Sequence, residues 1–182
     1  MRWLEVRRHS FTKKGDARGR GSDLSQAGVA AARYLGEEFG AVDYVVVSTE
    51  PRTIETAVAM GFAADDIVEM GSGYCSTEVA HHDQWEWDRP YVRYRELLDA
   101  GSAVASAAAR QLEVWRGALA HVPEGGLALI VSHGGLIEPT LVAAFPQADH
   151  DIWGEPFSPL DGARLAYEMP TFVSTEFQRY RP

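Results

Sequence analysis

Two apolar runs, far apart in the chain, each lead into a histidine. The first run, Trp3 to Arg7, precedes His9, and the second, Leu127 to Val131, precedes His133. Runs of this kind are typical of strands in a parallel sheet. Because ligands of open α/β sheets bind at the carboxyl ends of the strands, we expect both imidazoles to lie on one rim, in a binding crevice.

Segments with strand signals and segments with helix signals alternate along the chain. This order is typical of an α/β domain with a mostly parallel central sheet flanked by helices. The signals predict strands over 3–7, 44–48, 67–70, 127–131, 164–168 and 172–177, and helices over 27–39, 51–60, 91–99, 103–121 and 134–145. No linker or repeat divides the chain, so residues 1–182 are predicted to form a single domain.

Charge and composition limit the partners that we expect. The net charge is −9, although residues 1–20 hold seven Lys or Arg against two Asp or Glu. An acidic chain lacks the broad basic face that nucleic-acid binding requires, whereas a basic patch beside His9 suits a small anionic substrate. The single cysteine, Cys75, excludes an intrachain disulfide. With no signal-like segment and no run near the roughly 18 apolar residues of a membrane span, we expect a cytoplasmic protein without a membrane partner; a homodimer is left open.

The crevice residues suit an anion, and phosphate is the leading candidate. A neutral imidazole is a competent nucleophile near pH 7, and its phosphorylated form can be attacked by water. The planar fork of an arginine donates two parallel hydrogen bonds to a phosphate and keeps its charge. His9, His133 and Arg8 therefore predict phosphoryl-transfer chemistry that needs no metal.

Four short motifs follow one another along residues 4 to about 145. They are an apolar strand followed by Arg8-His9-Ser10; Leu24-Ser25-Gln26-Ala27-Gly28 at a helix start; Ser48, Arg52, Thr56 and Ala57 in one register; and Ile130-Val131-Ser132-His133-Gly134-Gly135. In this order they resemble the motifs of the histidine phosphatase superfamily, also called phosphoglycerate-mutase-like. Any one motif alone would be weak, but the four together are specific.

The resemblance implies a role for each of these positions. His9 would be the phosphorylated nucleophile, and His133 would stabilise the transferred group. No metal and no cofactor would be needed. The residues that bind the phosphate would be Arg8, Arg52, Ser10 and Gly134.

Many members of the family also carry an acid, ahead of a Trp-Glu pair, that donates a proton to the leaving group. Glu78 stands seven residues before Trp85-Glu86 and is therefore the candidate. Asp83 and Glu86 are substitutes, and a small branch of the family does without such an acid. Residues 70–100 would form an insertion that faces the substrate.

Three positions depart from the family pattern. Ser10 replaces the usual glycine and adds a hydroxyl that either bonds phosphate or crowds it. Arg7 stands where the family prefers an apolar residue, and it is a candidate to share the role of Arg8. Ser102 stands where a glutamate is often found near the start of the long helix, which would alter an ion pair.

Three other features allow different interpretations. Adjacent side chains such as His81-His82-Asp83 rarely converge on one ion, so we predict no metal site there. Ser132 lacks the Gly-x-Ser-x-Gly elbow of esterases, because Ile130 occupies the first glycine position. An aromatic cluster fits a lid or a core equally well; its members are Tyr74, Trp85, Trp87, Tyr91 and Tyr94.

The sequence therefore predicts a phosphatase that hydrolyses a phosphomonoester through a phosphohistidine on His9. Two alternatives remain open at this point. One is a phosphotransferase of the phosphoglycerate mutase type, which would use the same residues. The other is a catalytically silent module that binds a phosphorylated ligand. The sequence does not determine the substrate.

Overall fold

A sheet of six strands forms the centre of the protein. The computed structural model describes residues 1–13, 23–71, 78–80 and 83–181. The strands are β1 (Arg2–Arg8), β2 (Tyr44–Ser48), β3 (Asp66–Val68), β4 (Leu127–Ser132), β5 (Gly162–Glu168) and β6 (Thr171–Gln178). Their order across the sheet is β3-β2-β4-β1-β5-β6. Only β5 runs against the others, because it pairs antiparallel with both β1 and β6, so the predicted mostly parallel sheet is confirmed.

Helices cover both faces of the sheet. They are α1 (Gln26–Glu38), α2 (Pro51–Ala59), α3 (Pro90–Asp99), α4 (Ala103–Ala120) and α5 (Ile137–Ala144), with short 3-10 turns at Asp83–Trp85 and His150–Trp153. One apolar core lies between the sheet and the α4 and α5 side, and a second lies between the sheet and α1 with α2. A third, smaller cluster joins α3 to α4 and α5. In the described part of the chain, no helix is both long and apolar enough to cross a membrane.

Parallel pairing brings the ends of three strands to one edge of the sheet. Arg8, at the end of β1, is paired with Ser132, at the end of β4, and the amide of His9 donates to the Ser132 carbonyl at 2.9 Å. Ser48 ends β2, the other neighbour of β4. The residues that follow β1 and β4 therefore share this rim.

The structure differs from the sequence prediction most clearly at α5. A helix was predicted from Gly134, but α5 begins at Ile137. Gly135 has a φ of +79°, a left-handed conformation that interrupts a helix. The resulting turn after β4 is closed by the amide of Leu136, which donates to the His133 carbonyl.

Gly28 lies where α1 crosses the segment after β1. A Cβ built on Gly28 would lie 2.0 Å from the Phe11 carbonyl oxygen, a backbone atom that cannot turn aside. We expect Gly28→Ala to lower the free energy of unfolding by about 1–3 kcal/mol, because overpacking moves backbone. The matched control is Gly117→Ala in α4, where nothing lies within 4 Å of the new Cβ and alanine should stabilise the helix by about 0.5–1 kcal/mol. Urea unfolding of both variants measures this, and equal stabilisation of both would contradict the close packing at Gly28.

Candidate active site

His9 is held in a single tautomer just beyond β1. Its Nδ1 lies 2.8 Å from the Ser10 carbonyl oxygen. A carbonyl only accepts hydrogen bonds, so Nδ1 carries the proton and Nε2 carries the lone pair. Burial, with the charges of His133, Arg8 and Arg52, lowers the pKa of His9 well below its ordinary value. The imidazole is therefore neutral near pH 7, with a nucleophilic nitrogen.

His133 lies beside His9, with ring centroids 5.5 Å apart at an interplanar angle of 61°. Its Nε2 contacts the Ser48 hydroxyl at 2.8 Å, and that hydroxyl contacts Thr53 Oγ1 at 2.8 Å. The Thr53 hydroxyl has carbonyl acceptors on Ser48 and Glu50. Because the single hydroxyl proton of Thr53 is donated to a carbonyl, Thr53 Oγ1 accepts the hydroxyl proton of Ser48. The Ser48 oxygen must then accept from His133, so Nε2 of His133 is assigned the ring proton. The lone pair of His133 then resides on Nδ1.

The Nδ1 atom of His133 is buried and has no hydrogen-bond partner among the described residues. Burial, with the positive charge of Arg52, lowers the pKa of this imidazole to about 3. Buried polar atoms are normally hydrogen-bonded, so this atom is suited to a ligand. A phosphate oxygen beside His9 would both give it a partner and favour its protonation.

Arg8 and Arg52 supply the fixed positive charge of the site. Arg8 Nη1 donates to the Phe157 carbonyl at 2.6 Å, and its guanidinium lies 4.7 Å from the centre of the Trp85 ring. Arg52 stands in the first turn of α2 and pairs with Glu50 at 3.1 Å. The charges of both arginines lower the pKa of both histidines, so the two guanidiniums lie near both rings.

The spacing of Ser48, Arg52 and Thr56 has a physical explanation in α2. Arg52 and Thr56 are one helical turn apart, and the Thr56 hydroxyl donates to the Arg52 carbonyl at 2.6 Å. The same hydroxyl oxygen accepts the amide of Ser10 at 2.9 Å. One end of the motif thus holds His133 through Ser48, and the other holds the segment that carries His9.

Ser10 is placed differently from the expectation that it binds phosphate. Its hydroxyl donates to the Gly28 carbonyl at 2.7 Å, and its amide donates to Thr56. The proton of the hydroxyl and that of the amide are therefore both used within the protein. Ser10 therefore joins α1 and α2 to the segment of His9, and phosphate binding by its side chain stays a prediction.

Glu78, the predicted proton donor, lies at the start of α4. Its carboxylate accepts the amides of Ala103 and Val104 at 3.1 and 3.2 Å, and these bonds lower its pKa. Ser102 caps the same helix by accepting the amide of Ala105. A carboxylate with this helix-capping role is stabilised in its ionised form, so these contacts do not favour a protonated acid, and the role of Glu78 as proton donor stays a prediction.

Arg7 does not share the role of Arg8. Successive side chains of a strand point to opposite faces, and the Arg7 guanidinium lies 5.6 Å from the centre of the Phe39 ring, on the α1 side. It pairs with the buried Glu5 at 2.6 Å and donates to the Leu160 carbonyl. Arg7 therefore fixes β1 to neighbouring segments.

The aromatic cluster divides into two parts. Tyr91 is buried among Trp153, Phe157 and Phe177 and belongs to the core. Trp87 packs edge to face on Tyr94. Trp85 instead covers Arg8, as a lid residue would. Tyr74, His81 and His82 lie outside the described residues, so the absence of a metal site at His81-His82-Asp83 stays a prediction.

Sequence reasoning missed Glu138, a fully buried carboxylate in the first turn of α5. It accepts the amides of Gly135 and Phe157. A lone Glu in a helix is usually a surface residue, so the only signal was its position in an otherwise apolar segment.

The comparisons with known proteins identify the family of the chain. A family model, "Histidine phosphatase superfamily (branch 1)", matches residues 6–172. The chain belongs to the histidine phosphatase superfamily. A search of curated proteins finds no significant match.

Solved structures with the superfamily fold cover almost the whole chain. A mycobacterial glucosyl-3-phosphoglycerate phosphatase has a TM-score of 0.67 and 21% identity, over 99% of this chain and 98% of its own. A phosphoserine phosphatase from Entamoeba histolytica, in complex with 3-phosphoglyceric acid, has a TM-score of 0.66 and 18% identity, over 97% and 96%. YhfR from Bacillus stearothermophilus has a TM-score of 0.63 and 21% identity, over 95% of each chain.

Gly134 permits Arg8 to lie against the backbone after β4. A Cβ on Gly134 would meet the Arg8 Nη1 at 3.0 Å and its Cζ and Nε at 3.1 Å. We expect Gly134→Ala to displace the guanidinium by a few tenths of an ångström and to lower kcat/KM roughly 10-fold, because small misplacements of a positioning group are costly. Steady-state hydrolysis of para-nitrophenyl phosphate measures this. Unchanged kcat/KM, in a variant as stable as the native protein, would argue against a close fit.

The low pKa of His133 predicts a pH dependence of stability. The unfolded chain binds a proton at this histidine below about pH 6.5, whereas the folded protein does so only near 3. The unfolded state therefore binds more protons in this window, and the free energy of unfolding should fall as the pH falls from about 6.5 to about 3. His133→Gln should make this fall shallower in urea unfolding at about pH 7 and pH 4.5. His121→Gln, an exposed control, should keep the native slope, and equal slopes in all three proteins would refute the assignment.

Proposed function

We propose that this protein is a phosphatase that hydrolyses a small phosphomonoester through a phosphohistidine on His9. The observation that carries the proposal is the fixed tautomer of His9: Nδ1 is tied to the Ser10 carbonyl, so Nε2 is the nitrogen that can attack. The phosphatases with the same fold support the hydrolytic outcome.

In the first step the lone pair of Nε2 attacks phosphorus. A P–N bond forms, the P–O bond to the leaving group breaks, and the leaving oxygen takes a proton. Negative charge spreads over the three transferred oxygens, which Arg8 and Arg52 stabilise electrostatically. His133, protonated at Nδ1 when the dianion is bound, donates to one of these oxygens.

In the second step water attacks the phosphohistidine. The P–N bond breaks, a proton of the water is lost to a base, and inorganic phosphate leaves with the Nε2 lone pair restored. The site needs no metal for either step, because two guanidiniums and two imidazoles bind and polarise the phosphoryl group.

We propose that the group that protonates the leaving oxygen is a carboxyl group in or beside the 3-10 turn that carries Trp85, namely Asp83 or Glu86. Asp83 begins this turn and Glu86 directly follows Trp85, which covers Arg8. Asp83 accepts one backbone amide, from Ala80, at 2.9 Å, whereas Glu78 accepts two at the start of α4. Glu86→Gln and Asp83→Asn should slow alkyl phosphates, whose leaving groups need a proton, more than para-nitrophenyl phosphate. Glu78→Gln serves as the comparison. If this variant alone lost activity on alkyl phosphates more than on para-nitrophenyl phosphate, Glu78 would be the proton donor.

The experiment that tests the function is hydrolysis of para-nitrophenyl phosphate, with and without a metal chelator. The proposal predicts turnover that persists in the chelator and is inhibited by inorganic phosphate. Phosphate binding without turnover would reject a phosphatase in favour of a silent binding module. Turnover that the chelator abolishes would reject the metal-independent mechanism.

A further inference from the structure

Glu138 is a buried carboxylate near Arg8 that the reaction steps above leave unused. It is completely buried in the first turn of α5. Its Oε2 accepts the amide of Gly135 at 2.7 Å, and its Oε1 accepts the amide of Phe157 at 3.0 Å. Both oxygens of the carboxylate are thus directed at backbone groups on two different segments.

Each of these two segments contacts Arg8. The carbonyl of Phe157 accepts Arg8 Nη1 at 2.6 Å, while its amide is bonded to Glu138. On the other side, the amide of Gly135 is bonded to Glu138. The preceding residue, Gly134, packs against the Arg8 guanidinium. Glu138 therefore fixes both backbone surfaces between which Arg8 lies.

The charge of Glu138 fits the same arrangement. Burial raises its pKa, and the positive charge of Arg8 together with the two backbone amides opposes that rise. The carboxylate and the guanidinium are thus close enough to interact, although Phe157 lies between them in the hydrogen-bond chain. A charged group that is buried away from water is stable only where hydrogen-bond donors or opposite charges surround it.

We propose that Glu138 is a positioning residue that orients Arg8 for the phosphoryl group by linking the turn after β4 to the segment of Phe157. This rests on the proposed phosphatase function and adds to it a group that touches neither substrate nor nucleophile. The alternative is a residue that only caps α5, because the bond to Gly135 resembles a helix cap.

Glu138→Gln is the informative substitution. The amide keeps the size of the side chain, but its NH₂ group faces one of the two backbone N–H groups and cannot accept from it. We expect kcat/KM for para-nitrophenyl phosphate to fall at least 10-fold, mainly because KM rises. The inhibition constant of inorganic phosphate should rise by a comparable factor. Tighter phosphate binding, which is the result expected from merely removing a negative charge near Arg8, would overturn the proposal.

The test that separates orientation from capping is a double-mutant cycle with Arg8→Ala. If Glu138 acts through Arg8, Glu138→Gln should cost less than 2-fold in the Arg8→Ala background. The same 10-fold loss in both backgrounds would overturn the proposal. Thr140→Val is the matched control, because Thr140 is equally buried in α5 and its hydroxyl donates locally, to the carbonyl of Leu136, the N-cap residue of the same helix. It should stay within 2-fold of the native activity.

Glu138→Asp provides a second variant in case Glu138→Gln does not fold. Aspartate keeps the charge but is too short to reach both amides, so activity should again fall through KM. Native activity in Glu138→Asp would overturn the proposal. It would also be overturned if neither Glu138→Gln nor Glu138→Asp folded while Thr140→Val did, because Glu138 would then have a structural role. A native protein without turnover or phosphate inhibition would instead reject the proposed function itself, and this inference with it.

Discussion

His9→Ala is expected to abolish turnover of para-nitrophenyl phosphate, with a fall in kcat on the order of 10⁴ or more, as for the loss of other covalent nucleophiles. The lone pair of Nε2 is the nucleophile of the proposed first step, and alanine carries none. The neighbouring imidazole of His133 contacts Ser48 through its Nε2, and its Nδ1 has the separate proposed role of donating to a phosphoryl oxygen. Inorganic phosphate should still bind, because Arg8 and Arg52 remain.

The control for this variant is His121→Ala. His121 is exposed and stacks on Tyr44, at the end of β2 opposite to Ser48. It should keep native kcat and KM. Residual turnover in His9→Ala within about 100-fold of the native rate would mean that water attacks the substrate directly and that no covalent intermediate is required.

Arg8→Ala is expected to lower kcat/KM by a factor on the order of 10²–10³, the loss typical of removing one donor to a developing oxyanion. The guanidinium is almost fully buried at the rim, with 9% of its residue surface exposed, so water cannot replace its charge well. Steady-state kinetics and the inhibition constant of inorganic phosphate measure the loss: kcat/KM should fall and the inhibition constant should rise.

The adjacent Arg7 offers an internal contrast. Arg7→Ala removes one of the two arginine partners of the buried Glu5, leaving only Arg164, and should lower stability. Its kcat/KM should stay near the native value at a temperature where the variant is folded. Arg8→Ala should show the opposite pattern. If both variants lost activity equally while folded, the assignment of the two arginines to opposite faces of the sheet would be wrong.

The elements that the sequence predicted well are those whose pattern depends on local burial alone. Tyr44–Ser48 was predicted with its observed bounds, because β-branched residues buried on both faces leave one interpretation. The start of α5 was predicted three residues too early, since helix signals did not reveal that Gly135 takes a left-handed turn.

The parts of the site that the sequence could not predict depend on distant contacts. The bond between Ser48 and His133 joins residues 85 positions apart, and the link from Glu138 through Phe157 to Arg8 joins three separate segments. Ser10 and Glu78 show that a suitable side chain in the sequence is not necessarily available to a ligand in the fold. Each carries a group suited to phosphate chemistry, but each group is used by a helix nearby: the Gly28 carbonyl of α1 for Ser10, and the N-terminus of α4 for Glu78.

Trapping the phosphorylated enzyme tests the covalent mechanism most directly. The native protein would be mixed rapidly with para-nitrophenyl phosphate in the presence of a chelator, quenched in alkali, which preserves phosphohistidine, and examined by peptide mass spectrometry. We expect one phosphoryl group on the peptide that contains His9, and none in His9→Ala. Continuous release of phosphate from the native protein, with that peptide unmodified at every quench time, would contradict the covalent mechanism.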